Sequence, residues 1–110
     1  MTYQGTLRYL DWNDSITIHH FSVGAEEIAF RLTTTWGSLG EWQLDDIAKA
    51  DAGAYTCKAA RATQGDMRAK PGVVTFRLKP DGAALEVSGV WIDGGEEYAF
   101  GGTLTAVEAA

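Results

Sequence analysis

The sequence predicts an all-β domain, an antiparallel up-and-down barrel of about eight strands, with a β-sandwich as the alternative. Three observations predict it. Turn chemistry recurs at even spacing, the runs between turns are strand-length, and the clearest runs alternate apolar with polar residues. The turns are Asn13-Asp14, Val23-Gly24, Gly37-Ser38 with Gly40, Pro80-Asp81-Gly82 and Asp93-Gly94-Gly95, where Gly, Asn and Asp accept positive φ and Pro presets the first turn dihedral. Strands are expected near 3–12, 15–23, 26–36, 41–46, 54–61, 73–80, 83–93 and 96–107.

Each strand has its own signature. In the first and last, Gly5-Thr6-Leu7 and Gly102-Thr103-Leu104 put glycines at similar places, which lets a sheet bend sharply where its two ends close on each other. The second has apolar residues of one parity at Ile16 and Ile18 and of the other at Phe21 and Val23. The shift falls at His19-His20, where an extra residue would make a β-bulge. In the third, Ile28, Phe30, Leu32, Thr34 and Trp36 share one face against Glu27, Arg31, Thr33 and Thr35. The fourth is the weakest. Ser38-Leu39-Gly40-Glu41 has capping-box spacing and Leu44, Ile47 and Ala48 recur at helical intervals, so a short helix within 41–50 competes with it.

Asp51 to Cys57, read D-x-G-x-Y-x-C, resembles the tyrosine-corner motif of immunoglobulin domains. The chain has no earlier cysteine to pair with Cys57, and about fifty residues follow where that fold needs one more strand, so the segment reads as a turn leading into the fifth strand. The stretch Arg61 to Pro71 is polar and forms the longest loop, of the kind that is often functional. Val74, Phe76 and Leu78 then oppose Thr75, Arg77 and Lys79 in the sixth strand. The seventh is apolar on both faces at Val90, Trp91 and Ile92, so one face is expected to meet a covering loop or another subunit. Taken whole, the strand series, the two Gly-Thr-Leu runs and Gly89-Val90-Trp91 resemble the small calycin-type meander barrels of the lipocalin and avidin kind. That resemblance implies a closed meander barrel in which the first and last strands pair.

The 110 residues suit one domain spanning 1–110, and 45% hydrophobic content is enough to build a core. A formal charge of −6 argues against general affinity for nucleic acid or anionic membrane. One cysteine permits no internal disulfide and no cysteine-based zinc site, which fits a reducing compartment. The polar, alternating start is not that of a signal peptide, so a cytoplasmic location is expected.

Motif chemistry is sparse. There is no G-x-S-x-G elbow, no H-x-x-x-H pair and no phosphate loop. Adjacent His19 and His20 point to opposite faces of a regular strand and cannot chelate one ion. Asp93, Glu96 and Glu97 read as a solvated hairpin tip, so no metal, cofactor or catalytic residue is assigned.

The four tryptophans remain. In an up-and-down meander alternate turns share one end, which gathers Trp12, Trp36, Trp42 and Trp91 with Arg61 and its loop. An eight-stranded barrel either fills its interior with side chains or holds one small ligand. The leading expectation is therefore non-catalytic binding of a small apolar, aromatic or sugar-like molecule, with Trp36, Trp42, Trp91, His20, Tyr55, Arg61 and Arg68 as candidate ligand-binding residues. Two other readings stand beside it. One is a homo-oligomeric interaction module using an outer strip of Val90, Ile92 and Val107; the other is a small acid/base enzyme using His20 and a carboxylate.

Overall fold

The computed structural model describes residues 1–107 and is all-β, a closed antiparallel eight-stranded barrel with two extra strands. The barrel strands are β1 (Thr2–Tyr9), β2 (Ser15–Val23), β3 (Glu27–Thr35), β4 (Glu41–Asp51), β5 (Ala54–Ala60), β8 (Gly72–Asp81), β9 (Ala84–Asp93) and β10 (Glu96–Ala106). Each pairs with the next, and β10 returns to β1 through Tyr3↔Ala106 to Tyr9↔Phe100, so neither end of the sheet is left as an open edge. The up-and-down order follows the evenly spaced turns.

Residues 41–51 are strand throughout, which corrects the expectation of a short helix within 41–50. Trp42, Leu44 and Ala48 are buried while Glu41, Gln43, Asp45 and Lys49 are exposed, a period of two that pairs in register with β3 from Glu27↔Lys49 to Thr35↔Glu41. Neighbouring strand pairing decides against the helical spacing of Leu44 and Ala48. The capping-box run instead makes a single 3-10 turn, Gly37–Leu39.

The expected bulge in β2 is present. Register shifts between Ile18 and His20, and β1 shifts beside it between Tyr3 and Gly5, where Gln4 Nε2 donates to the His19 carbonyl at 3.0 Å. The loop 61–71 is partly ordered as a hairpin of β6 (Thr63–Gln64) and β7 (Met67–Arg68), attached to β4 by Gln43↔Thr63. β1 ends at Tyr9, leaving Leu10 to Asn13 outside the sheet.

Side chains fill the barrel. At its centre Phe76 meets Phe21, Phe30 and Phe100 at ring-centroid distances of 5.2, 5.0 and 5.8 Å, all near edge-to-face, and Leu7, Ile16, Ile18, Leu32, Val87 and Leu104 pack around them with 2% exposure or less. Crowding of this kind requires glycine where rings meet backbone. A Cβ on Gly89 would lie 2.1 Å from the Thr75 carbonyl oxygen and 2.6 Å from the Phe100 ring. At the lower end the Tyr55 hydroxyl donates to the Gly24 carbonyl at 3.1 Å and ties β5 to the β2–β3 turn. No helix among the described residues is long and apolar enough to cross a membrane. Exposed outward positions such as Thr6, Arg8, Thr17, Arg31 and Lys79 are polar around an apolar interior, the reverse of the outward apolar band of a transmembrane barrel.

Candidate functional site: an aromatic cleft at the upper rim

The turns β1–β2, β3–β4 and β9–β10 share the upper end, and the tryptophans gather there in two layers. The inner layer is core. Trp42 and Trp91 are 7% and 2% exposed, and Trp36 bridges them with centroid distances of 5.5 Å to each. Trp42 Nε1 is buried with no hydrogen-bond partner among the described residues, a cost of about 1–3 kcal/mol that the packing of its ring must offset.

The outer layer is open. Tyr9, Trp12, Asp14, Trp36, Gly37, Ser38, Leu39, Asp93 and Tyr98 line a cleft of about 360 Å³. Trp12 stands 58% exposed with its ring centroid 6.0 Å from that of Tyr98, and Leu39 is 63% exposed on the opposite lip. The cleft therefore opens to solvent between apolar walls.

A hydrogen-bond network holds its floor. Trp36 Nε1 donates to the Tyr9 hydroxyl at 3.3 Å, and that hydroxyl shares a 2.7 Å hydrogen bond with Thr34 Oγ1. Thr34 Oγ1 also lies 3.3 Å from the Ser15 carbonyl, its acceptor. Asp14 fixes the lip: its Oδ2 accepts from Gly37 N at 3.1 Å and its Oδ1 from Thr35 Oγ1 at 3.3 Å. Gly37 has φ of 53°, which suits glycine at this turn. Tyr98 donates to Glu96 Oε2. That hydrogen bond to Glu96 raises the Tyr98 pKa, and burial raises that of Tyr9, so both phenols hold their protons at neutral pH.

Of the residues expected from sequence, Trp36 lines this cleft and Trp42 and Trp91 stand behind it. The others lie elsewhere. Arg61 and Arg68 border a separate depression of about 370 Å³ in the side wall with Arg31, Asp45 and Asp46, and Arg31 pairs with Asp45 at 3.4 Å. The hairpin that carries Arg68 touches the rim through Gln64, whose amide donates to the Leu39 carbonyl. Tyr55 sits at the lower end. His20 is exposed on the outer wall, and its neighbour His19 bonds Thr33 Oγ1 through Nε2 at 2.7 Å. Among the described residues no group of three His, Cys, Asp or Glu is placed to hold a metal ion.

Sequence reading did not single out Tyr9, Asp14, Leu39, Asp93 or Tyr98 for this site. Tyr9 and Tyr98 could have been found from the register, since Tyr9 pairs with Phe100 and Tyr98 pairs with Trp91 where β1, β10 and β9 meet at the rim.

A second feature lies where β4 and β5 part. They pair only from Lys49↔Thr56 to Asp51↔Ala54 and then splay. Asp46 continues the inward parity of Leu44 and Ala48 and sits half-buried beside the buried Cys57. Burial first, and the Asp46 carboxylate second, push the Cys57 thiol up to about 11. A thiol so protonated is a poor nucleophile at neutral pH.

No family model matches this chain, and no solved structure matches it. A section of a curated protein does. The chain is 28% identical over 89 residues to a protein described as inactive tyrosine-protein kinase 7 of Gallus gallus, covering 68% of this chain. The matched section is 8% of that protein, so the chain spans less than a tenth of the relative's length. The likeness assigns this chain no family.

Proposed function

We propose that this barrel is a non-catalytic binding module that takes a small apolar or aromatic molecule in the cleft at its upper rim. One observation carries the reading. Trp12, Trp36, Tyr9, Tyr98 and Leu39 surround an open space of about 360 Å³, the size of small-ligand pockets, at the upper end, where the tryptophan layers meet solvent. The network through Trp36, Tyr9 and Thr34 holds the floor rigid before any ligand arrives, which lowers the ordering cost of binding. Trp12 supplies the exposed face. Titration with indole or benzyl alcohol, read by tryptophan fluorescence, tests the proposal. Saturable quenching that Trp12→Ala removes without lowering the melting temperature supports it; no saturable change with either probe overturns it.

Self-association is the second reading, favoured by an apolar strip on the outer wall. Leu10 is 69% exposed and its N–H bonds the Ala99 carbonyl, Ala99 pairs with Val90, and Ile92 pairs with Val73. Sedimentation giving a dimer that Leu10→Ser dissociates would support it.

A further inference from the structure

The rim cleft carries charge of one sign only. Its lining holds two carboxylates, Asp14 and Asp93, four aromatic side chains and no Lys, Arg or His. Glu96 adds a third carboxylate at the edge through its hydrogen bond to Tyr98. The basic side chains that sequence reading placed with the tryptophans, Arg61 and Arg68, belong instead to the side depression with Asp45 and Asp46.

We infer that the rim cleft selects an organic cation, specifically a methylated or quaternary ammonium group seated between Trp12, Trp36 and the two tyrosines. This rests on the binding reading above and names its ligand class. Aromatic faces carry negative quadrupole potential and attract a cation over the ring, and indole does so best. A quaternary ammonium is poorly hydrated, so entering an apolar cleft strips little water from it, whereas a primary ammonium or a metal ion would lose strong hydration. Carboxylates at the margin add long-range attraction without having to contact the ligand. Asp14 is already fixed by Thr35 and Gly37, which keeps its charge in place at the lip. An anionic ligand would meet repulsion from Asp14, Asp93 and Glu96 together. The overall charge of −6 acts in the same direction.

The test uses a pair of probes of one shape and different charge: choline and its neutral carbon isostere 3,3-dimethylbutan-1-ol. Binding is followed by the Trp12 and Trp36 indole N–H resonances and by calorimetry, with benzyl alcohol as a neutral aromatic reference. The expected result is that choline shifts both resonances saturably and binds about tenfold more tightly than the isostere. Asp93→Asn weakens choline severalfold while leaving the isostere unchanged, and Trp12→Ala abolishes choline binding with the melting temperature kept. Equal affinity for choline and the isostere overturns the inference, as does insensitivity of choline to Asp93→Asn. If benzyl alcohol shifts the Trp12 resonance and choline does not, the cation inference falls and the binding reading stands. If no probe moves either resonance, both fall.

Discussion

Gly102 of β10 faces Leu7 of β1 across the seam that closes the barrel, and a Cβ at Gly102 would lie 2.9 Å from the Thr6 carbonyl oxygen and 3.0 Å from Leu7 Cδ2. The relationship is repeated two pairs along. Gly5 faces Leu104, where an added Cβ would lie 3.0 Å from Leu104 Cδ2. Each strand thus contributes a glycine opposite the other's leucine, which lets both fully buried leucines turn inward at the closure.

Adjacent glycines should therefore respond differently. Gly102→Ala is expected to destabilise the fold by about 1–3 kcal/mol, the usual range for overpacking a filled core. Gly101→Ala should be close to neutral, because its Cβ would find only ordinary contacts, 3.4 Å to the Val87 carbonyl and 3.9 Å to Ser88. Urea denaturation of the two variants makes the comparison, and equal losses would show that the seam is not tightly packed.

Phe76 is the hub of the ring cluster, in contact with three other phenylalanines. Phe76→Ala should cost about 3–5 kcal/mol, and Phe76→Leu less, since leucine keeps most of the buried volume. Calorimetric melting of both checks the order.

The tryptophans should divide by layer. Trp91→Ala, with its ring 2% exposed, should lose about 3–5 kcal/mol of stability. Trp12→Ala, 58% exposed, should stay within about 0.5 kcal/mol of the wild type while losing the aromatic probes. A Trp12 variant that melts as early as the Trp91 variant would contradict the two-layer arrangement.

Alkaline pH should expose the Cys57 environment. Its folded pKa of about 11 stands above the ordinary 9.0, so the folded state holds the proton more tightly than the unfolded chain. The resulting stability is fully present below pH 9 and is lost as pH rises through about 11. Tyr9 and Tyr98 also have raised pKa values and add their own loss at high pH, so the comparison is with Cys57→Ala, in which the decline over this window should be shallower. At pH 8 a disulfide reagent should modify Cys57 far more slowly in the folded protein than in urea.

Period-two alternation and turn residues within a few positions of one another were enough to predict an up-and-down strand series, the inward faces of β3 and β8 and the bulge at His19, while a β-sandwich stood as the alternative. The sharing of one end by the tryptophans was conditional on meander order, which the strand pairing supplies. The fourth strand was undecided from local pattern: Leu44, Ile47 and Ala48 satisfy a helical interval as well as a strand, and only pairing with β3 selects the extended form. Tertiary structure alone decided which indoles are buried and which line a cleft. Trp36 and Trp42 flank the same turn, yet Trp36 reaches the open space and Trp42 does not, because that outcome depends on where Tyr9, Leu39 and Tyr98 stand around them. Tertiary structure also separated Arg61 and Arg68 from the rim. The splay of β4 from β5 lets β6 pair with β4 on the outer wall, so the hairpin lies along the barrel's side, and the charge left at the mouth is that of Asp14 and Asp93.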